Sequence, residues 1–355
     1  MTDDKKSLNT PDRTKLTPEE KSIVQTASGV IVEHPKLYQA HQAIYDTLKH
    51  NQARGELKHL MIVGDSGCGK STLCDLLVEE FEVSQEAFQL GYRKRLDLLH
   101  ASVHSPVTPR MLAKSLLRAM GFAGSLNGNS QDLTEQLIMD LGQCGVKVVI
   151  LDETQHLHAL GLSSGSNLTK RLRESLDWIK TVINRTRITF VLMGMPELVD
   201  LIAADPQLSR RFSREYYLSP LPMPDPSRND IGRFVDGILL AITELPYFDG
   251  AESFSDDLSC AMRMYLATGG LPASLKELVT DAALQAYRAE DRVIAQRHFS
   301  SAFEPNRRVQ AEILKIRETH QDLNDLMARP GPSEMFNPFT LPMSELNQFL
   351  RQKVA

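Results

Sequence analysis

The chain reads as an α/β protein: a parallel sheet flanked by helices, then a run of helices and a polar tail carrying isolated apolar residues. Three observations carry that reading. GDSGCGKS, Gly64 to Ser71, fits the phosphate-loop pattern G-x-x-x-x-G-K-[ST] without a mismatch. It joins a short apolar run, His59 to Val63, to a segment of helical spacing, Ser71 to Phe81, in which Leu73, Leu76, Leu77 and Phe81 share a face. A second apolar run, VKVVILDETQHL from Val146 to Leu157, ends in an Asp-Glu pair, and from Pro222 onward helical segments separated by Pro and Gly replace the strands. Such an alternation implies helices on both faces of a parallel sheet, with the ligand at the carboxyl ends of the strands.

Composition narrows the function classes. Hydrophobic residues at 42% and charged residues at 24% are ordinary for a globular chain with room for one large or two modest domains. A net charge of −5 gives no global basic field, so nucleic acid would have to be held by a local stripe of Lys and Arg. Cys68, Cys74, Cys144 and Cys260 form no C-x-x-C pair and no zinc spacing, which reads as reduced thiols in a cytoplasmic protein. The N-terminal MTDDKKSLNTPDRTK lacks the apolar core of a signal peptide, and VKVVIL and FVLMGM are far too short to span a bilayer, so no membrane is expected.

Taken in order, residues 1–28 are expected to be a flexible N-terminal arm with a helix candidate at Thr17 to Thr26, and residues 29–221 the nucleotide-binding core. Leu37, His41, Ile44, Tyr45 and Leu48 place a helix before the first strand. In the phosphate loop, Gly64, Asp65, Ser66, Gly67, Cys68, Gly69, Lys70, Ser71 and Thr72 are the candidate cofactor contacts. Backbone N–H groups converge on the β-phosphate, Lys70 reaches the β- and γ-phosphates, and Ser71 holds Mg²⁺. LDLLHASV, Leu96 to Val103, is the second strand, preceded by the basic run Arg93-Lys94-Arg95. Thr108-Pro109 starts a helix to Met120, along which Arg110, Lys114 and Arg118 recur at one spacing as a candidate DNA track.

In the Asp-Glu pair, Asp152 is the candidate Mg²⁺ ligand and Glu153 the residue that orients and polarises the attacking water. A Gly/Ser loop follows, then a long helix whose first turn, with Lys170, Arg171 and Arg173, is the second candidate DNA track. ITFVLMGMPEL, Ile188 to Leu198, is a further buried strand. No Asn or Thr stands at its exit through Gly194-Met195, so a polar γ-phosphate sensor is unassigned. In DPQLSRRFSREYYLSPL, a capped helix ending in Arg-Arg-Phe is how a ring-forming ATPase offers an arginine to a neighbour's γ-phosphate; Arg211 is favoured, then Arg210 and Arg214. Residues 222–304 read as a helical lid whose helix start at Gly269-Gly270 is where a lid cation approaches the phosphates; Lys276, the nearest cation, is the candidate cofactor contact there. Residues 305–355 read as a charged helix and a partner-docking tail with Phe336, Phe339, Leu341, Leu346 and Phe349 as anchors.

VGDSGCGKST, LDETQHL, GMPEL, LSRRF and TGGLP, with the upstream IVEHPKLYQAHQAI and the tail FNPF, together resemble the AAA+ ATPases of the initiator-like branch and, more narrowly, the TniB/TnsC family of transposition regulators. The resemblance runs from about Ile31 to Phe303. It implies an AAA+ phosphate-loop core with a small all-helical lid, an ATPase that uses ATP and Mg²⁺, and assembly on double-stranded DNA as a homo-oligomeric ring or helical filament. It further implies transposase subunits and a target-selection protein of the TniQ/TnsD kind as partners. The alternatives are an ATPase of secretion or envelope assembly and a signalling NTPase.

Overall fold

The computed structural model describes residues 15–303 except 54–56, 82, 89–90, 123, 125, 159–161 and 164–166, together with 337–340 and 342. These fall into two compact units, Glu33–Pro220 and the residues up to Val32 combined with those from Leu221.

The first unit is built on a five-stranded sheet: β1 (Leu60–Val63), β2 (Leu98–Ser102), β3 (Val148–Asp152), β4 (Thr189–Gly194) and β5 (Arg214–Tyr217), in the spatial order β5-β1-β4-β3-β2. Every pairing is parallel, with Val63 opposite both Gly194 and Tyr217, and Ser102 opposite Asp152. β1, β3 and β4 are buried at each position, which is why LMIV, VVILD and TFVLMG are almost unbroken apolar runs rather than alternating ones. Helices Lys70–Glu80, Pro109–Ala119, Ser130–Cys144 and Lys170–Arg185 cross between strands, and Leu73, Leu116, Leu137, Leu176 and Val182 are fully buried.

Local chemistry fixes the helix starts. Thr108, Asn129 and Thr169 each accept a first-turn N–H on a side-chain oxygen, and Gly145, at φ 69°, ends the helix that Asn129 begins. The second strand is shorter than Leu96 to Val103, and a hairpin absent from the sequence reading precedes it: Val83–Phe88 pairs antiparallel with Gly91–Leu96. Ser84, Gln85 and Glu86 opposite Arg95, Lys94 and Arg93 give those strands no apolar pattern to detect.

His59, just before β1, is buried; its Nδ1 accepts from the Phe190 N–H at 3.1 Å. Burial, helped by the charges of Arg211 and Lys58, pulls its pKa down to about 4. A His depressed in the folded state contributes stability that is present above the unfolded value near 6.5 and lost as pH falls towards 4. Unfolding in urea is expected to show about 2 kcal/mol less stability at pH 5 than at pH 7 from this group. His59→Asn, whose Oδ1 can accept the same N–H, is expected to flatten that acid limb; an unchanged limb would assign it to other groups.

The second unit packs helices Pro18–Gly29, Asp230–Thr243, Leu258–Thr268, Pro272–Arg288 and Gln296–Ala302 around Phe234, Ile238, Phe254, Met264, Val279 and Phe299. A two-residue parallel ladder, Gly250–Ala251 with Val293–Ile294, ties it together. The expected flexible arm is, over its described part, a structured element of this unit. Thr17 and Glu20 form a reciprocal capping box, Ile23 and Ala27 are fully buried, and Glu20 pairs with Arg288 at 2.8 Å. Its apolar face is simply short, which made the segment read as a tail.

Among its described residues, the tail packs on this unit. Pro338–Thr340 forms a 3₁₀ turn whose Phe339 packs against Phe299 and Phe303, while Arg263 donates to the Pro338 carbonyl at 2.6 Å and Gln296 to the Phe339 carbonyl at 3.1 Å. Phe339 thus serves the core of its own chain; Phe336, Leu341, Leu346 and Phe349 lie outside the described residues. Phe339→Ala is expected to cost about 3 kcal/mol, seen as a lowered urea midpoint; a midpoint equal to wild type would show that the turn contributes nothing to stability.

Candidate nucleotide-binding site

The phosphate loop leaves β1 at Gly64, where a Cβ would stand 2.3 Å from the carbonyl oxygen of Leu218, so β1 and the chain after β5 can approach only across a glycine. Gly67 and Gly69, at φ 89° and 97°, turn the backbone so that the loop closes on itself, with the Cys68 N–H donating to the Asp65 carbonyl at 3.3 Å. Gly69 is the N-cap of helix Lys70–Glu80 and offers no capping side chain, which leaves first-turn N–H groups to meet an anion. Lys70 is buried, its ammonium donating to the carbonyls of Gly64 at 2.6 Å and Asp65 at 3.0 Å. Those oxygens occupy the ammonium as phosphate oxygens would. Ser66 and Ser71 are exposed at the loop, and Asp65 and Thr72 are half-buried.

At the end of β3, Asp152 is 5% exposed and burial raises its carboxyl pKa, opposed by the Glu153 N–H, which donates to Oδ1 at 2.7 Å, and by the charges of His100 and Lys70. A cation beside this buried carboxyl would favour its charged form, and a carboxylate oxygen is the donor type that Mg²⁺ takes. Glu153 has φ 58°, in the left-handed region that non-glycine residues seldom adopt. Two residues that the sequence reading passed over set this corner. Thr154, fully buried, donates both its N–H, at 3.0 Å, and its hydroxyl, at 2.6 Å, to the Met193 carbonyl, binding the exit of β3 to β4. Gln155 donates its side-chain amide to the Glu153 carboxylate. The polar run Asp-Glu-Thr-Gln was the available signal.

Other candidates are placed as follows. Arg210 and Arg211 end helix Pro206–Arg211, which Asp205 caps; Arg210 is exposed, Arg211 half-buried towards His59, and Arg214 donates to Thr47 at 3.3 Å. Lys276, in the second unit, donates to the carbonyls of Ser28 at 2.9 Å and Val30 at 2.7 Å, closing the end of helix Pro18–Gly29. Two of its three N–H donors are thereby engaged on backbone carbonyls of its own unit. Arg110 donates to the Gly128 and Asn127 carbonyls and holds that loop, while Arg118 is exposed. Burial, then Arg110 and Arg118, lower the Lys114 pKa, which marks the expected crowding of three cations. Lys170, Arg171 and Arg173 are exposed in the first turn of Lys170–Arg185, which contains no acid. Cations are disfavoured at that end of a helix, and Lys170 stands 4.0 Å from the Glu174 carboxylate one turn on.

Among the described residues no helix is long and apolar enough to cross a membrane. A phosphate loop after β1, Asp-Glu after β3 and the strand order β5-β1-β4-β3-β2 define an AAA+ fold. Among solved structures the chain is similar to Aeropyrum pernix ORC2 in its ADPNP-ADP complexes (14% identity, TM-score 0.53, covering 93% of this chain and 98% of that one). It is likewise similar to A. pernix ORC1 in complex with DNA (17% identity, TM-score 0.53, covering 95% and 82%). At these identities the likeness is one of fold. Residues 23–219 match the family described as bacterial TniB protein, and the chain belongs to that family. A search among curated proteins gives no match.

Proposed function

We propose that this protein is an ATP-dependent DNA-binding regulator of DNA transposition. It assembles on double-stranded target DNA as a ring or helical filament, and links a target-selection protein of the TniQ/TnsD kind to the transposase subunits in the cytoplasm. The observation that carries this reading is the TniB match, which spans the whole nucleotide module from before the phosphate loop to Arg210 and Arg211. The DNA in the ORC1 neighbour supports the same direction.

In this reading the N–H groups of the phosphate loop and Lys70 bind and orient the triphosphate, and Ser71 and Asp152 hold Mg²⁺. That ion supplies charge neutralisation at the β- and γ-phosphates when bound. Glu153 accepts a proton from the attacking water, its carboxylate kept in place by Gln155 until nucleotide arrives. Arg210, the more exposed of the pair, and Arg211 reach the γ-phosphate of the adjacent protomer. Lys170, Arg171 and Arg173 grip the phosphate backbone of DNA. Lys276, which closes the end of helix Pro18–Gly29, is given no role at the phosphates in this reading.

Mixing tests the arginine in trans. The Arg210→Ala/Arg211→Ala double variant is expected to lose about 10³-fold in ATP turnover, and the Lys70→Ala chain to be inactive alone. Together they are expected to recover part of the activity, because some interfaces then pair an intact Lys70 with intact arginines. No recovery over a range of mixing ratios would contradict a site shared between protomers.

A further inference from the structure

Beneath the phosphate loop, three side chains that are far apart in sequence converge. Cys74 lies on the inner face of helix Lys70–Glu80, His100 in β2 and Asp152 at the end of β3, and their ligand atoms all lie within 4.8 Å of one another. The sheet register explains the meeting: Ser102 pairs with Asp152, so His100, two residues back, projects from the same face. Cys74 and Asp152 are 1% and 5% exposed. The Nε2 of His100 is buried without a hydrogen-bond partner, standing 4.0 Å from Oδ2 of Asp152, too far for a hydrogen bond. Asp152 uses its other oxygen for the Glu153 N–H, and Cys74 Sγ lies 3.4 Å from the sulfur of Met193.

An orphaned imidazole nitrogen facing a carboxylate and a thiol is a ligand set short of its ion. We propose that Cys74, His100 and Asp152 form a zinc-binding site at the floor of the nucleotide pocket, one that shares Asp152 with the Mg²⁺ of bound nucleotide. Sulfur, imidazole nitrogen and one carboxylate oxygen are the donors zinc takes, whereas magnesium takes oxygen throughout. Bonds of about 2.0–2.3 Å require these ligands to draw together by roughly 1 Å, with the fourth position left for solvent. On binding, the thiol proton passes to solvent and a zinc–thiolate bond forms. Burial holds the Cys74 thiol well above its ordinary range, so that proton must be displaced by the ion. The sharing of Asp152 rests on the magnesium reading above, but the ligand set does not, and the two are tested separately.

The probe is Co²⁺, titrated spectroscopically into the full-length protein without nucleotide. A thiolate-to-cobalt charge-transfer band with the strong visible bands of tetrahedral cobalt is expected, displaced by Zn²⁺. Cys74→Ser is expected to abolish the charge-transfer band, and His100→Gln to weaken cobalt binding at least ~10-fold while keeping the fold by circular dichroism. If Cys74→Ser does not fold, His100→Gln decides alone. No band in wild type, or a band that survives in the folded variant and so belongs to another thiol, would overturn the site. Adding Mg²⁺ with ATP is expected to bleach the band. A persistent band while fluorescent ATP binds normally would overturn the sharing of Asp152, and failure of ATP to bind at all would instead strike the nucleotide reading.

Discussion

Lys70→Ala is expected to lower the affinity for ATP at least ~10- to 100-fold, measured by fluorescence of a labelled nucleotide, and with it every ATP-dependent property of the chain. The ammonium is buried and makes two short hydrogen bonds to the loop carbonyls of Gly64 and Asp65, so it is already positioned within the loop. A bound triphosphate would exchange those neutral acceptors for charged ones, and hydrogen bonds between charged partners are worth about 1.5–3 kcal/mol each. The variant removes the cation without removing the backbone N–H groups, so weak residual binding is expected rather than none. An affinity within twofold of wild type would mean that the loop does not receive a triphosphate.

Glu153→Gln is expected to separate binding from hydrolysis: nucleotide affinity near wild type, turnover down by about 10²- to 10⁴-fold. Glu153 turns at φ 58° and its carboxylate accepts from the amide of Gln155, which holds in place the proton acceptor this reading needs. Gln155→Ala is the companion variant, expected to alter turnover less than Glu153→Gln because the acceptor remains and only its restraint is lost. Equal loss of nucleotide binding and turnover in Glu153→Gln would assign the residue a structural role at the exit of β3.

The phosphate loop and the Asp-Glu pair were legible because their chemistry is local: glycines that permit φ near 90°, a lysine beside a helix start, an acid at the end of an apolar strand. The parallel sheet followed from the apolar runs of β1, β3 and β4, since strands buried on both faces need no alternation. What escaped depends on distant partners. Nothing in the residues around Lys276 says that it closes helix Pro18–Gly29, nor around Phe339 that it fits beside Phe299. Cys74 and His100 belong to different elements, and only the register of β2 against β3 brings them to Asp152. The hairpin Val83–Phe88 with Gly91–Leu96 lacked a signal because polar residues face one another across it. No polar γ-phosphate sensor could be read at Gly194-Met195, while Thr154 and Gln155, which order that corner, reach it from the adjacent strand exit.

The central claim is that nucleotide builds the form of the protein that grips DNA. Fluorescence anisotropy of a random-sequence duplex, with ATP, a non-hydrolysable ATP analogue or ADP and across a salt series, tests it most directly. Binding with the two triphosphates only, falling steeply with salt and less steeply in Arg171→Ala/Arg173→Ala, is the predicted result. Equal binding in all nucleotide states, or none in any, would contradict it.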